Sequence, residues 1–343
     1  MKPVLAITVG DCNGVGPEVV IRALRSTKVR HSIIPLLVGP QESFSYYARL
    51  YGIPFRPIRV SATLGTSALS HLWDSGHVPV LEPDGARALK PKPGLLSPFA
   101  ARMAAQAIST AVNLVQNGSA AGIVTAPVSK KALHMAGVQY PGQTEMLQQL
   151  SGSRRVAMML VSPVMRIGLA TIHIPVRSIH KELTASCLKE KILIIREALQ
   201  KDWRIPSPRL AVLGLNPHIG EDGDIGKEEQ TVIIPVLRTL QRRFENLSGP
   251  FPADGFFGQY RPHSYDAIVA MYHDQGLIPL KMTAAGHGVN VSVGLPLVRT
   301  SPDHGTGFDI AGKGIADGRS MVEALCMARI IIHNRKRGEK RAS

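Results

Sequence analysis

Val4-Leu5-Ala6-Ile7-Thr8-Val9 runs directly into Gly10-Asp11-Cys12-Asn13-Gly14-Val15-Gly16-Pro17-Glu18. The first six residues are an apolar, β-branched run of strand length. Proline at 17 suits the first turn of a helix, where its missing N–H costs nothing. The segment therefore reads as a buried strand, a tight turn with glycines at positive φ, and a helix over residues 16–25. Its order is not G-x-G-x-x-G, and proline stands where a third glycine would fall, so the turn alone is weak evidence for a bound dinucleotide. Outward from it the same alternation continues. Residues 33–38, 122–125, 156–161, 167–171, 210–215, 267–271 and 289–293 read as buried strands, and 98–116, 183–199 and 228–243 carry helical apolar spacing. Strands alternating with helices predict an α/β fold with mainly parallel sheets. Residues 65–94, rich in Gly, Pro and Asp, are expected to form a long irregular excursion.

The chain has 343 residues, 44% hydrophobic and 19% charged, enough for one large or two medium domains. No apolar run approaches the roughly 18 residues of a membrane span. The N-terminal run is too short for a signal peptide and no cleavage site follows it. Cys12, Cys187 and Cys326 show no paired spacing, which points to a reduced, cytoplasmic compartment. The net charge is +15, and Arg335, Lys336, Arg337, Lys340 and Arg341 supply part of it in a tail expected to be solvated and frayed. Aromatics are only 5% and no nucleic-acid-binding motif is present, so a basic enzyme acting on anionic substrates is the simpler reading.

Three histidines each close an apolar run and open a turn: Thr171-Ile172-His173-Ile174-Pro175, Leu215-Asn216-Pro217-His218-Ile219-Gly220-Glu221 and Met271-Tyr272-His273-Asp274-Gln275-Gly276. In a parallel sheet the carboxyl ends of the strands share one edge, where ligands bind. His173, His218 and His273 could there hold a divalent metal with positions left open for substrate. Taken singly, each is as readily a core or loop residue, and their spacing matches no local metal motif. His31, His71, His77, His134, His180, His263 and His333 lack this setting and read as surface or structural. A second group, Lys281, Asn290 and Arg299, suits phosphate or carboxylate, although exposed cations would read the same way. The segment Asp303-His304-Gly305-Thr306-Gly307-Phe308-Asp309-Ile310-Ala311-Gly312-Lys313-Gly314-Ile315-Ala316-Asp317 is polar and glycine-rich and precedes a helix over 320–332. Such a loop lets backbone amides approach a ring or a phosphate.

Together these segments resemble the 4-hydroxythreonine-4-phosphate dehydrogenase family of vitamin B6 biosynthesis. The resemblance runs from Gly10–Glu18 to Asp317 and is most specific at Leu215-Asn216-Pro217-His218, Gly226-Lys227-Glu228-Glu229, Met271–Gly276 and Arg299–Gly305. It implies a two-domain, isopropylmalate dehydrogenase-like α/β/α fold with the active site in the interdomain cleft and at a homodimer interface. Residues 1–120 and 275–343 would form the cofactor-binding domain, and 121–274 the metal, substrate and dimerisation domain. His173, His218 and His273 would be the metal ligands, with zinc, cobalt or magnesium as candidate ions. Gln143, Thr144, Lys281, Asn290 and Arg299 would hold the substrate. His304, Gly305, Thr306, Asp309 and Asp317 would contact NAD or NADP. Lys281, Asp254 and Asp274 are candidates to move or relay a proton. The implied reaction is oxidation of 4-(phosphooxy)-L-threonine at C3, then decarboxylation to 3-amino-2-oxopropyl phosphate. A related 4-phospho-D-threonate or erythronate dehydrogenase, or a metal-dependent phosphoester hydrolase without nicotinamide, remain alternatives. The family usually shows Gly-His-Thr-Glu where this chain has Gly142-Gln143-Thr144-Glu145.

Overall fold

A computed structural model describes residues 2–140 and 142–342; the side chains of Lys340 and Arg341, part of the basic tail, lie outside what it describes. The chain forms two compact units, Met1–Arg154 with Leu295–His333 and Arg155–Gly294 with Asn334–Ser343. In chain order the strands are β1 (Val4–Thr8), β2 (Ile34–Val38), β3 (Pro57–Arg59), β4 (Val78–Leu81), β5 (Gly122–Thr125) and β6 (Ala157–Val161). They continue as β7 (Arg166–Leu169), β8 (Leu210–Leu213), β9 (Leu247–Phe251), β10 (Ala267–Ala270), β11 (Val289–Val293) and β12 (Arg299–Pro302).

The first unit carries six strands in the order β3-β4-β2-β1-β5-β12, with every pairing parallel. β1, β2, β4 and β5 are buried along their whole length, which is why β1, β2 and β5 read as continuous apolar runs rather than alternating ones. The helix Pro98–Gln116 begins with Ser97 accepting from the Ala100 N–H and buries Ala101, Ala104, Ile108, Ala111 and Val112, one stripe at helical spacing. In the second unit the order is β11-β6-β7-β10-β8-β9; β6 runs antiparallel to both its neighbours, and β7, β10, β8 and β9 are parallel. Its core gathers Leu160, Ile167, Leu169, Leu213, Ile268, Leu277 and Leu280. At roughly 1.5–3 kcal/mol for each large apolar side chain buried, this cluster is a major part of that unit's stability. The mainly parallel α/β class read from the sequence is what the molecule has.

Several expectations are corrected. Residues 65–94 are not a wholly irregular excursion: they contain the helix Thr66–Asp74, anchored by buried Leu69 and Trp73, and β4, whose Pro79 disguised a strand. The helices Gln41–Leu50, Gln143–Leu150 and His273–Ala284 and the strands β3, β9 and β12 went unread. Residues 121–154 belong to the first unit because β5 pairs with both β1 and β12. Residues 275–294 belong to the second because β11 pairs with β6 and the helix His273–Ala284 buries Leu277 and Leu280 in that core. The last helix, Arg319–Ala342, is longer than expected, and Arg335 is not frayed: its guanidinium meets the buried Asp202 carboxylate at 2.6 Å. In the opening turn only Gly10 has positive φ (70°); a Cβ on Gly14 would sit 2.6 Å from the Thr306 carbonyl oxygen, so close approach is what demands glycine there.

Candidate active site

β7, β10 and β8 are adjacent and parallel, so their carboxyl ends share one edge of the second unit, and each is followed by one of the three histidines. The register pairs Leu169 with Ala270, and the contact continues past the strands. The Ala170 N–H donates to the Ala270 carbonyl, and both the Thr171 N–H and hydroxyl donate to the Met271 carbonyl. This extension carries His173 and His273 to neighbouring positions, with ring centroids 5.8 Å apart. His273 opens the helix His273–Ala284 rather than a turn, and its Nδ1 lies 2.6 Å from Asp274 Oδ1. A carboxylate on Nδ1 fixes the ring and leaves Nε2 as the nitrogen for a ligand. Gln275 braces the same corner, accepting from the Met271 N–H and donating to the Gly214 carbonyl at the end of β8.

His218 is presented differently. Residues 218–222 all have positive φ (52°, 55°, 83°, 45° and 54°), a left-handed turn in which only Gly220 is free of side-chain strain. Such a turn persists only if its surroundings hold it. Glu229, wholly buried, does so: one carboxylate oxygen accepts the Leu215 and Asn216 N–H groups at 2.7 Å, and the other accepts the Asn216 side-chain amide at 2.8 Å. Asn216 also donates to Glu228, and a Cβ on Gly226 would lie 2.3 Å from the Asn216 amide nitrogen. Among the described residues no three His, Cys, Asp or Glu side chains form one metal-sized group. The structure thus brings His173 and His273 together and places His218 after the strand on the other side of β10. Asp254 lies exposed on the short helix Ala253–Gly258, and Lys281 is exposed on the helix that His273 begins. Asn290, on β11, keeps a buried carbonyl oxygen with no partner in the chain.

The first unit holds the other set. Arg299, on β12, is only 3% exposed, and its Nε and Nη2 both donate to the Thr125 hydroxyl, at 3.1 and 2.8 Å. Nη2 also donates to Gln143 Oε1 at 3.0 Å. Burial pulls the guanidinium down to about 10, while the Glu145 carboxylate pulls it back up. Thr144 is buried beside Gln143 in the first turn of the helix Gln143–Leu150. The loop from His304 to Asp317 is pinned at two points: the Val15 N–H donates to the Thr306 carbonyl, and Arg22 donates to the Gly314 carbonyl while pairing with buried Glu18. His304 Nδ1 lies 3.0 Å from the Gly305 carbonyl oxygen, and its Nε2 is buried with no partner in the chain. Asp309 is exposed, and Asp317 pairs with Arg319. Beneath the opening turn, burial raises Asp11 to about 6 although one oxygen accepts the Asn13 N–H.

Residues 32–328 match the family described as "Pyridoxal phosphate biosynthetic protein PdxA". The chain belongs to this family. It is 40% identical to a 4-hydroxythreonine-4-phosphate dehydrogenase of Prosthecochloris aestuarii, over 96% of this chain and 97% of that one. It is also 40% identical to a D-threonate 4-phosphate dehydrogenase of Cupriavidus necator, over 94% and 95%. A crystal structure of the 4-hydroxythreonine-4-phosphate dehydrogenase of Burkholderia phymatum is similar with a TM-score of 0.77 and 39% identity, covering 96% of this chain and 98% of that chain. Within this PdxA-family chain, Glu229, Gln275, Thr125 and Glu145 are site-supporting residues that pattern reading passed over. Glu229 stood inside one of the most specific strings, Gly226-Lys227-Glu228-Glu229, which was the available signal.

Proposed function

We propose that this chain oxidises 4-(phosphooxy)-L-threonine at C3 with NAD or NADP and that the product loses CO2 to give 3-amino-2-oxopropyl phosphate. The observation that carries the reading is the delivery of His173, His273 and His218 by three adjacent parallel strands, with the first two ring centroids 5.8 Å apart. Imidazole nitrogens are the donor type that one divalent ion (zinc, cobalt or magnesium) would take, and such an ion would supply Lewis acidity for ionising the alcohol and polarising the ketone. A bound nicotinamide would supply the acceptor for the hydride at C3. His304, Gly305, Thr306, Asp309 and Asp317 are the residues proposed to hold it, and the partnerless His304 Nε2 fits a bound group there. Arg299, Thr144, Asn290 and Lys281 bind and orient the anionic substrate, and Gln143 stands beside them on the Arg299 guanidinium. In this reading Lys281 and Asp274 pass the hydroxyl proton outward, with Asp254 as a further relay. Oxidation leaves a ketone β to the carboxylate, and the C–C bond electrons then move toward that ketone as CO2 departs.

Exposed Val176 (76%), Ile278 (59%) and Met282 (82%) on the second unit support assembly as a homodimer. No described helix is long and apolar enough to cross a membrane and all three cysteines are free, which supports a cytoplasmic location. Equal identity to a D-threonate 4-phosphate dehydrogenase carries a second reading, in which a 2-hydroxyl replaces the 2-amino group of the substrate. Purified protein with each divalent ion and each nicotinamide, offered 4-(phosphooxy)-L-threonine, 4-phospho-D-threonate and 4-phospho-D-erythronate, decides between them by absorbance at 340 nm. Turnover confined to the amino acid supports the first reading. Turnover confined to the hydroxy acids replaces it with the second.

A further inference from the structure

Gln143 occupies an unusual position for a substrate-binding amide: both ends of its side chain are already engaged within the first unit. Oε1 accepts from Arg299 Nη2 at 3.0 Å, and Nε2 donates to the Ala126 carbonyl at 3.1 Å. The amide therefore bridges the end of β5 to the guanidinium on β12. Thr125 fixes one edge of that guanidinium through Nε and Nη2, and Gln143 fixes Nη2 from a second direction. The backbone is built to aim the amide there. Gly142 precedes the helix in extended conformation, and a Cβ on it would lie 2.8 Å from Glu145 Oε2 and 3.3 Å from Lys130 Cε.

We infer that Gln143 is a positioning residue for Arg299, and that its amide keeps this anion-binding guanidinium oriented without depending on a proton. The chemistry of the contact admits few substitutes. It needs one acceptor toward Arg299 and one donor toward Ala126, which an amide supplies at every pH. A neutral imidazole also has one of each, but protonation turns both ring nitrogens into donors, and one would then face a guanidinium. The charged groups around the position are Arg299 on β12, Glu145 in the same helix and Lys130 at the start of the helix Lys130–Met135. Glu145 opposes the Arg299 charge while Lys130 adds to it, so a further cation at position 143 is disfavoured.

That Arg299 meets the substrate rests on the proposed function; that Gln143 orients Arg299 does not. Gln143→His and Gln143→Ala test the inference by two readouts. In Gln143→His the imidazole, followed by NMR, is expected to protonate well below the usual histidine range of about 6.5, because its acceptor nitrogen is held by Arg299. At about pH 7.5 Gln143→Ala should raise KM for 4-(phosphooxy)-L-threonine by about tenfold with kcat nearly unchanged, and Gln143→His should raise it by clearly less. The ratio of the Gln143→His KM to that of wild type should rise as pH falls through the NMR midpoint, because protonation removes the acceptor. An imidazole titrating at or above about 6.5 overturns the inference, as does an unchanged KM in Gln143→Ala. Should the wild type turn over none of the phosphorylated acids, the dehydrogenase reading fails by itself. The histidine midpoint, together with the affinity of each variant for inorganic phosphate followed in the same spectra, then decides the positioning role. Weaker phosphate binding by Gln143→Ala than by Gln143→His supports it, and equal binding sinks it.

Discussion

Replacing Glu229 separates the support of the His218 turn from the chemistry of His218 itself. The buried carboxylate accepts three N–H groups, from Leu215, from Asn216 and from the Asn216 side chain, at 2.7, 2.7 and 2.8 Å. Hydrogen bonds to a charged partner contribute about 1.5–3 kcal/mol each, and donors left buried without acceptors add their own desolvation cost. Glu229→Ala removes all three acceptors. Water entering the vacated space offsets part of the loss, so a net cost of roughly 4 kcal/mol is expected. Glu229→Gln keeps the oxygen that serves the two backbone groups but sets an NH2 against the Asn216 amide, costing about 1.5 kcal/mol. For a unit of this size about 1 kcal/mol moves the melting temperature by roughly 2–4 °C, so Glu229→Ala should lower it by about 10 °C and Glu229→Gln by about 4 °C. Thermal unfolding followed by circular dichroism measures both. Turnover should fall further than stability does, since the five successive residues at positive φ begin just beyond the Leu215 and Asn216 groups that Glu229 holds. If Glu229→Ala melts within about 2 °C of wild type, the carboxylate does not hold the turn and the reasoning fails.

Other consequences are sharper in one readout each. His218→Ala should abolish metal-dependent turnover while leaving the melting temperature of metal-free protein unchanged, because the side chain is exposed; full activity in the variant would remove His218 from the site. Asp11, raised by burial to about 6 from 3.8, stabilises the fold most below its unfolded value and loses that contribution as pH rises through about 6. Asp11→Asn should therefore match wild type near pH 3.8 and become more stable than it by up to about 3 kcal/mol above about pH 6. A stability difference that does not change across that interval, measured by urea unfolding, would contradict the burial argument.

The sequence made the fold class legible because buried strands are apolar and β-branched: β1, β2, β5, β8 and β10 among the parallel strands, and β6, β7 and β11 at the antiparallel pairings, all fell where such runs lie. The unread strands carry reasons of their own. β12 is Arg299-Thr300-Ser301-Pro302, polar although buried, with Arg299 held by Thr125 and Gln143 and the Thr300 hydroxyl donating to the Ala324 carbonyl, and β4 carries a proline. The helix His273–Ala284 was hidden by Pro279 and Gly276, both unfavourable in a helix interior. The strand-end positions of the three histidines were readable, since a residue following a parallel strand must reach the sheet edge. The left-handed turn at His218 was not, because nothing local in Pro217-His218-Ile219 favours positive φ; the cause is Glu229, which enters from a different element. Gln143 was legible as a residue but not as a brace, because its partners at 126 and 299 come together only when β5 pairs with β12.

The most direct test of the account supplies the purified, metal-loaded protein with 4-(phosphooxy)-L-threonine and NAD or NADP, and follows reduced nicotinamide and CO2 in the same vessel. Equal amounts of the two, lost together on chelation and restored by added metal, are predicted. Release of inorganic phosphate with no rise at 340 nm would contradict it.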